Sequence, residues 1–234
     1  MNLKAFRQGL SHSLSIVLGY APVAVTFGVL AHHAEIPVWI TGLMSVFVYA
    51  GAAQFIAVEM IQQGAGIWLI GMTTLILNIR HALMSLAVIP HFPTTPTKWS
   101  LALAHGLTDE SFVLNSRLLP EIKTEEEKRW IMLGVNSGAY FSWVCFTILG
   151  GLLGEWLPTD FSGFQFAMLA LFILLAAGTV NRRNYITFIL AGCLGIAFKY
   201  LLPGKFYLIL SVIIAAGLGA WLKMKDAGGS SDGT

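Results

Sequence analysis

The sequence predicts an all-α polytopic membrane protein with about seven to eight transmembrane helices, some of them discontinuous near the midplane. Apolar residues make up 56% of the 234 residues and charged residues only 11%, and the mean hydropathy is +0.73. Soluble domains carry about 25% charged residues, so a soluble fold is excluded. A helical crossing needs about 20 apolar residues, which leaves little chain for a water-soluble domain.

Eight apolar segments follow one another along the chain, and their length is typical of helices. They cover residues 11–31, 38–62, 66–90, 99–118, 130–154, 163–181, 185–202 and 206–222. We expect one membrane domain over residues 1–226 and a disordered tail over residues 227–234, which are rich in Gly and Ser. The net charge is +2 without a basic stripe, so nucleic-acid binding is not expected.

The fourth segment is the least apolar. The distribution of Lys and Arg residues over the two sides of the membrane indicates whether it crosses. Lys and Arg favour the cytoplasmic side of short loops. If all eight segments cross from a cytoplasmic N-terminus, ten of these residues flank the cytoplasmic side and three the outer side. If the fourth segment alone fails to cross, this bias nearly vanishes. We therefore expect residues 99–118 to cross, as a full span or as a deep broken helix that reaches across.

Ionisable residues inside the apolar segments concentrate in the third and fourth. The third contains Asn78, Arg80 and His81, and the fourth contains His105 and the sequence Thr108-Asp109-Glu110. A charged residue in a bilayer costs about 2.5–3.5 kcal/mol, so such residues generally face a bundle interior or an aqueous cavity. Counting 1.5 Å per residue places Asn78 and Asp109 near the midplane, at the depth of Pro22 and Gln54.

Secondary transporters bind substrate at this depth, where broken helices expose backbone N–H and C=O groups. Two interruptions fit this pattern, at Gly19–Pro22 and at Gly51–Gln54. A zwitterion needs both signs of charge, which Arg80 supplies together with Asp109 or Glu110. The expected substrate-binding residues are therefore Pro22, Gly51, Gln54, Asn78, Arg80 and Asp109.

Each of these residues also has a purely structural interpretation, which stays open at this stage. Pro22 and Gly51 are equally consistent with a kink and a helix-packing patch. Gln54 and Asn78 fit hydrogen bonds between helices, and Arg80 fits a structural ion pair with one of the carboxylates.

Proton coupling needs groups that take up and release protons inside the membrane. The candidates are Asp109, Glu110, His81 and His105. Each histidine alone is also consistent with a packed polar residue.

At these residues the sequence resembles the AzlC family, the large subunits of branched-chain amino-acid exporters. The resemblance is carried by Gly19–Ala31 (GYAPVAVTFGVLA), Met44–Phe55 (MSVFVYAGAAQF), Asn78–Met84 (NIRHALM), Pro90-His91, Leu107–Phe112 (LTDESF) and, in the second half, Gly134–Tyr140. It implies export of valine, leucine and isoleucine, with methionine as a further candidate. It also implies a small hydrophobic AzlD-like partner subunit and a place in the bacterial inner membrane.

Two other functional classes are weighed against export. An intramembrane enzyme would use the His, Asp and Glu cluster, but the sequence has no H-E-x-x-H or G-x-S-x-G arrangement. A channel or scaffold subunit would line a pore with repeated polar positions, whereas these residues concentrate at one depth. We therefore expect no catalytic residues, no cofactor and no metal. Cys145 and Cys193 have no second thiol nearby, which also argues against a thiolate site.

Overall fold

The structure is a computed structural model that describes residues 2–157 and 185–201, together with positions 173, 214 and 217–219. The chain divides into two units, residues 1–171 and 172–234. The predicted segments 163–181 and 206–222 lie almost entirely outside the described residues, and the predicted tail lies wholly outside them.

Every regular element in the described part of the chain is helical, which confirms the predicted fold class. The helices of the first unit are α1 (Leu3–His12), α2 (Leu14–His33), α3 (Val38–Phe47), α4 (Gly51–Gln62), α5 (Ile67–Val88), α6 (Thr97–His105), α7 (Asp109–Leu118) and α8 (Glu125–Leu153). The second unit contributes α9 (Tyr185–Leu201). Short 3₁₀ turns follow α5 and α7. Among the described helices, α2, α5 and α8 are long and apolar enough to cross a membrane.

Helix α8 is the centre of the first unit, and α1 and α2 run parallel to it. A Cβ atom on Gly134 would lie 2.2 Å from the carbonyl oxygen of Phe6, and one on Gly28 would lie 2.2 Å from that of Thr147. The backbones therefore touch at both ends, and only glycine permits this approach. We call the end with Leu3 and Glu125 the N-terminal side, and the end where α2 and α8 finish the far side.

Helices α3 and α4 form a hairpin that enters from the far side and returns to it. Val38, the first residue of α3, lies against Gly151 near the end of α8. The Ser45 hydroxyl donates to Thr147 at 3.0 Å, so α3 descends antiparallel to α8. The helix then breaks at residues 48–50, where Tyr49 has a φ of 42°.

After this break, helix α4 runs along α2 toward the far side. The Gln54 amide reaches back to Ser45 at 3.0 Å, which pairs the two arms at one level. One turn later, Val58 belongs to a buried cluster with Phe27, Ala31 and Ile36 at the far end of α2. Ten and twelve residues rise only about 15 and 18 Å, so neither arm spans a bilayer alone.

Helix α5 carries the chain from the far side to the N-terminal side. The turn after α5 is held there, because the backbone N–H and hydroxyl of Thr94 and the hydroxyl of Thr95 donate to the carboxylate of Glu125. The ring of Trp99 lies 5.1 Å from that of Trp130 in α8. Helix α6 therefore starts on the N-terminal side.

Helices α6 and α7 form the second hairpin, which enters from the N-terminal side. The Asn136 amide of α8 donates to the Leu103 carbonyl oxygen of α6 at 2.9 Å and accepts from Asn115 of α7 at 3.0 Å. Leu119, just after α7, packs with Met132 in the first turns of α8. Both arms thus lie at one level, and the chain returns to the side from which it came.

The expectation that residues 99–118 cross the membrane is therefore wrong, since Trp99 at the start of the segment and Leu119 just after its end both pack against the first turns of α8. The second segment, residues 38–62, does not cross either. Because two segments return to the side from which they started, α8 keeps the direction that eight crossings would give it. These returns also move Lys98 to the N-terminal side, which now holds seven of the eight Lys and Arg residues in residues 2–157, while Arg80 lies inside α5.

The first unit contains an inverted repeat that the sequence did not reveal. Helices of 20, 10 and 12 residues (α2, α3, α4) are followed by helices of 22, 9 and 10 residues (α5, α6, α7). Each set is a long helix followed by a hairpin, and the two sets run in opposite directions through the molecule. Inverted repeats of this kind are frequent among secondary transporters.

Candidate functional site

The tips of the two hairpins meet in the middle of the first unit. The ring of Tyr49, at the α3–α4 break, lies 6.4 Å from the ring of His105 at the α6–α7 break. Tyr140 of α8 packs against both rings, at 4.8 and 5.8 Å. Tyr20 of α2 lies 2.7 Å from the Thr108 hydroxyl. Groups from α2, α8 and both breaks therefore line one polar and aromatic centre.

The α7 tip is built by its own helix cap. The Thr108 backbone N–H donates to the Ser111 hydroxyl at 2.8 Å, and the Ser111 N–H donates back to the Thr108 hydroxyl at 3.4 Å. This capping box satisfies N–H groups that a helix start leaves unpaired. Asp109 and Glu110 follow in the first turn, where negative charge is favoured by the helix dipole.

Arg80 and Asp109 are brought together as an ion pair. The Arg80 Nη1 atom lies 2.8 Å from Asp109 Oδ2, and the side chains are 35% and 30% exposed. The pair ties α5 to the first residue of α7. This geometry agrees with the structural interpretation of Arg80, and it leaves Glu110 as the carboxylate of the tip without a cation among the described residues.

The α4 tip is neutral and is held by Gln54, which is fully buried. The Gln54 carbonyl oxygen accepts from the Trp143 indole at 3.0 Å and from the Ala50 backbone N–H at 3.2 Å, and its amide donates to Ser45. Gly51 lies against the same tryptophan, since a Cβ there would be 2.8 Å from Trp143 Cη2. Both predicted residues thus position the tip, and the interhelical interpretation of Gln54 describes its contacts.

The predicted helix interruption at Gly19–Pro22 is wrong. Helix α2 runs through Pro22 without a break, and the Thr26 hydroxyl donates to the Pro22 carbonyl oxygen at 2.7 Å. Pro22 itself is exposed and faces away from the buried side of α2, where Tyr20 and Val23 lie. A proline costs a long membrane helix only one hydrogen bond, which packing along α8 outweighs.

The remaining predicted residues flank the meeting point of the tips. Asn78 is half-buried, and its side-chain carbonyl oxygen is buried without a hydrogen bond among the described residues. His81 Nδ1 lies 3.3 Å from the Asn78 backbone oxygen, one turn earlier on α5. His105 is exposed, with its ring beside Tyr49. In the described part of the chain, no three His, Cys, Asp or Glu side chains are grouped to hold a metal ion.

Sequence reasoning did not single out Tyr20 and Tyr49, two aromatic residues of the centre. Tyr20 is buried, and its hydroxyl lies 2.5 Å from Glu110 Oε2. Tyr49 is 3% exposed, and its hydroxyl lies beside Thr108, Tyr20 and Glu110 without a well-aligned hydrogen bond. A usable signal was present, because Tyr20 precedes Pro22 by two residues and Tyr49 precedes the first residue of the GAAQF stretch, Gly51, by two.

Comparison with known proteins places the chain among bacterial and archaeal membrane proteins. Residues 15–157 match the family described as AzlC protein. An uncharacterized membrane protein of Helicobacter pylori is 33% identical, over 78% of this chain and 80% of its own. The Escherichia coli inner membrane protein YgaZ is 28% identical, over 91% and 86% of the two chains. The Bacillus subtilis branched-chain amino acid transport protein AzlC is 26% identical, over 73% and 66%. No solved structure matches the chain.

Proposed function

The chain belongs to the AzlC family, and from that premise we propose that it is the large subunit of a secondary transporter that exports branched-chain amino acids. A membrane transport role agrees with the name of the Bacillus subtilis relative. The proposed substrates are valine, leucine and isoleucine, with methionine as a further candidate. This role needs no catalytic residue and no cofactor.

One observation carries the proposal. Two half-helix hairpins enter from opposite sides and meet at Tyr49 and His105, beside the Arg80–Asp109 pair. Broken helices that end near mid-depth, arranged in an inverted repeat, offer a polar solute a stopping point that each side can close in turn. A simple scaffold would have no need of charged residues there.

The charge distribution supports a cytoplasmic N-terminus in the bacterial inner membrane. Seven Lys and Arg residues lie on the N-terminal side in residues 2–157, and the far side has none. Lys and Arg in short loops favour the cytoplasm. Under this orientation the α6–α7 hairpin opens to the cytoplasm and the α3–α4 hairpin to the outside.

Proton coupling and a small AzlD-like partner complete the proposal. The proton-coupling candidates remain Asp109, Glu110, His81 and His105, of which Glu110 and His105 border the meeting point of the tips. A carboxyl group that changes its charge inside a membrane also changes its preference for a cationic partner, which is one way to link a proton to a substrate.

The test is valine efflux from proteoliposomes under a pH gradient, with and without the small subunit. We expect saturable efflux from the wild type and less than about a tenth of that flux from Arg80→Ala and from Asp109→Asn. Glu126→Gln, an exposed charge removal in the first turn of α8, is the matched control and should transport normally. Wild-type flux from both Arg80→Ala and Asp109→Asn, ohmic conduction, or a new chemical species formed from valine would contradict the proposal.

A further inference from the structure

Asp109 and Glu110 are neighbours in the first turn of α7, but of the two only Asp109 has a cationic partner within the described part of the chain. The Glu110 carboxylate accepts from the Tyr20 hydroxyl at 2.5 Å. No Lys or Arg in the described residues lies within ion-pair distance of it. A carboxylate in a membrane interior without a counter-charge is unfavourable. Glu110 is therefore suited to a positive group that the described chain does not supply.

The Tyr49 hydroxyl is the second polar group of interest, because it makes no well-aligned hydrogen bond among the described residues. The side chain is 3% exposed, its hydroxyl lies close to those of Thr108 and Tyr20, and Tyr20 in turn donates to Glu110. Buried polar atoms are nearly always paired, and the exceptions call for an explanation such as a ligand. An unpaired hydroxyl beside an uncompensated carboxylate indicates a ligand that donates hydrogen bonds and carries positive charge.

We propose that Glu110 and Tyr49 bind the ammonium group of a primary amine, and, if the proposed function holds, this is the α-ammonium group of the exported amino acid. An ammonium group has three N–H donors, which suit the Glu110 carboxylate, the Tyr49 oxygen and the Thr108 oxygen. The rings of Tyr49 and Tyr140, 4.8 Å apart, add aromatic surface of the kind that favours cations.

This assignment separates the roles of the two carboxylates. Asp109 is bound to Arg80 and positions the α7 tip against α5. Glu110 takes the substrate cation.

The experiment is calorimetric titration of the purified full chain with valine, isobutylamine and isovalerate, which share a branched side chain and differ in charge. We expect wild-type binding in the order valine, isobutylamine, isovalerate. Tyr49→Phe should weaken valine and isobutylamine about tenfold or more, because a hydrogen bond to a charged group is lost. Its melting temperature should change little, since the hydroxyl makes no well-aligned hydrogen bond among the described residues.

Two variants serve as matched controls. Tyr140→Phe removes a hydroxyl that donates to the Val46 carbonyl oxygen at 2.9 Å, so it should lower the melting temperature, in contrast to Tyr49→Phe. Glu110→Gln should abolish isobutylamine binding, while Glu126→Gln, the same change at an exposed position, should not.

The outcomes separate the two proposals. If the wild type binds isobutylamine through Tyr49 but neither binds nor transports valine, the export proposal falls and the ammonium site stands. If the wild type transports valine but Tyr49→Phe and Glu110→Gln bind valine and isobutylamine with wild-type affinity, only the ammonium site is overturned. Competition by sodium chloride as strong as that by isobutylamine would also overturn it, in favour of an inorganic cation.

Discussion

At the tip of the α3–α4 hairpin the central side chain is Gln54, which is neutral and fully buried, whereas the α6–α7 tip carries Asp109 and Glu110. The first helix start has no side-chain cap, and the second has a capping box. Both tips are ends of half-helices of about ten residues. The polar side chain of the α4 tip is hydrogen-bonded within the protein, whereas the α7 tip carries two carboxylates.

The contrast indicates that the two hairpins have different roles. Gln54 bonds to Ser45, Ala50 and Trp143, so the α4 tip is fixed to α3 and α8. The α7 tip depends instead on Arg80 of α5 and Tyr20 of α2. Its contacts are between ionisable groups on separate helices, and these are the contacts that a proton or a charged substrate can change.

The largest expected effect comes from removing the polar group of the neutral tip. Gln54→Leu leaves the Trp143 indole N–H and the Ala50 N–H without an acceptor, and each unpaired buried group costs about 1–3 kcal/mol. It also removes the hydrogen bond to Ser45, which keeps its bond to Thr147. We expect a loss of roughly 3 kcal/mol or more in the free energy of unfolding, measured by denaturant titration in mixed micelles.

The matched change at the charged tip is Ser111→Ala, which removes one member of the capping box and costs about 1 kcal/mol. Equal losses from Gln54→Leu and Ser111→Ala would contradict the view that the neutral tip is the more firmly fixed.

An intermediate effect is expected where α8 holds the two arms of the α6–α7 hairpin. Asn136→Leu removes the bonds to the Leu103 carbonyl oxygen and to the Asn115 amide at once, so we expect roughly 2 kcal/mol of lost stability. The measurement is the thermal shift of the purified protein, with proteolysis of the 119–124 turn as a local readout.

Asn115→Leu is the control for this prediction, because it removes the hydrogen bond between α7 and Asn136 and leaves the Asn136 bond to Leu103 of α6 in place. A smaller loss from Asn115→Leu than from Asn136→Leu is expected. The same loss from both variants would mean that α6 is not held by Asn136, and the hairpin assignment would weaken.

The smallest effect concerns the base of the same hairpin, on the N-terminal side. Hydrogen bonds from Thr95 and Thr94 hold the pKa of the Glu125 carboxyl below its ordinary value. Glu125 precedes the apolar stretch 130–153, whose 24 residues rise about 36 Å and span the membrane without it. The contact is therefore intact above the ordinary pKa of about 4.3 and is lost as pH falls through the lowered value.

A spin label at Lys98→Cys, with Cys145 and Cys193 replaced by Ala, reports this contact. We expect a restricted label at pH 6 and above and a mobile one once the pH has fallen below the lowered pKa of Glu125. Glu125→Gln should show the same mobility at every pH. A pH step that persists in Glu125→Gln would assign the change to another group.

Much of the candidate site could be predicted from the sequence, because the cost of burying charge makes Arg80, Asp109 and Glu110 stand out in an apolar chain. The role of each of these residues could not be predicted from the sequence. Arg80 had two possible carboxylate partners within one turn, and only the packing of α5 against α7 selects Asp109. Tyr20 and Tyr49 are marked only by their positions just before Pro22 and the GAAQF stretch, because a tyrosine in a membrane segment has no energetic signal of its own.

The topology shows a limit of counting charges one segment at a time. The positive-inside argument is correct that one uncrossed segment would reverse α8, and wrong that residues 99–118 therefore cross. Residues 38–62 also return to their starting side, so the two reversals cancel. With both hairpins in place, the bias in residues 2–157 becomes seven to none, stronger than the prediction that assumed eight crossings.

By itself the sequence determined the membrane class, the cluster of charge near mid-depth and the preference of Lys and Arg for one side, because transfer free energies depend on the composition of each segment. The tertiary structure alone decided which segments return and which carboxylate stays unpaired. Hydropathy measures the cost of entering the bilayer and carries no information about direction after a helix breaks. That direction is set by contacts with distant residues, such as Asn136 with both hairpin arms and Glu125 with the turn after α5.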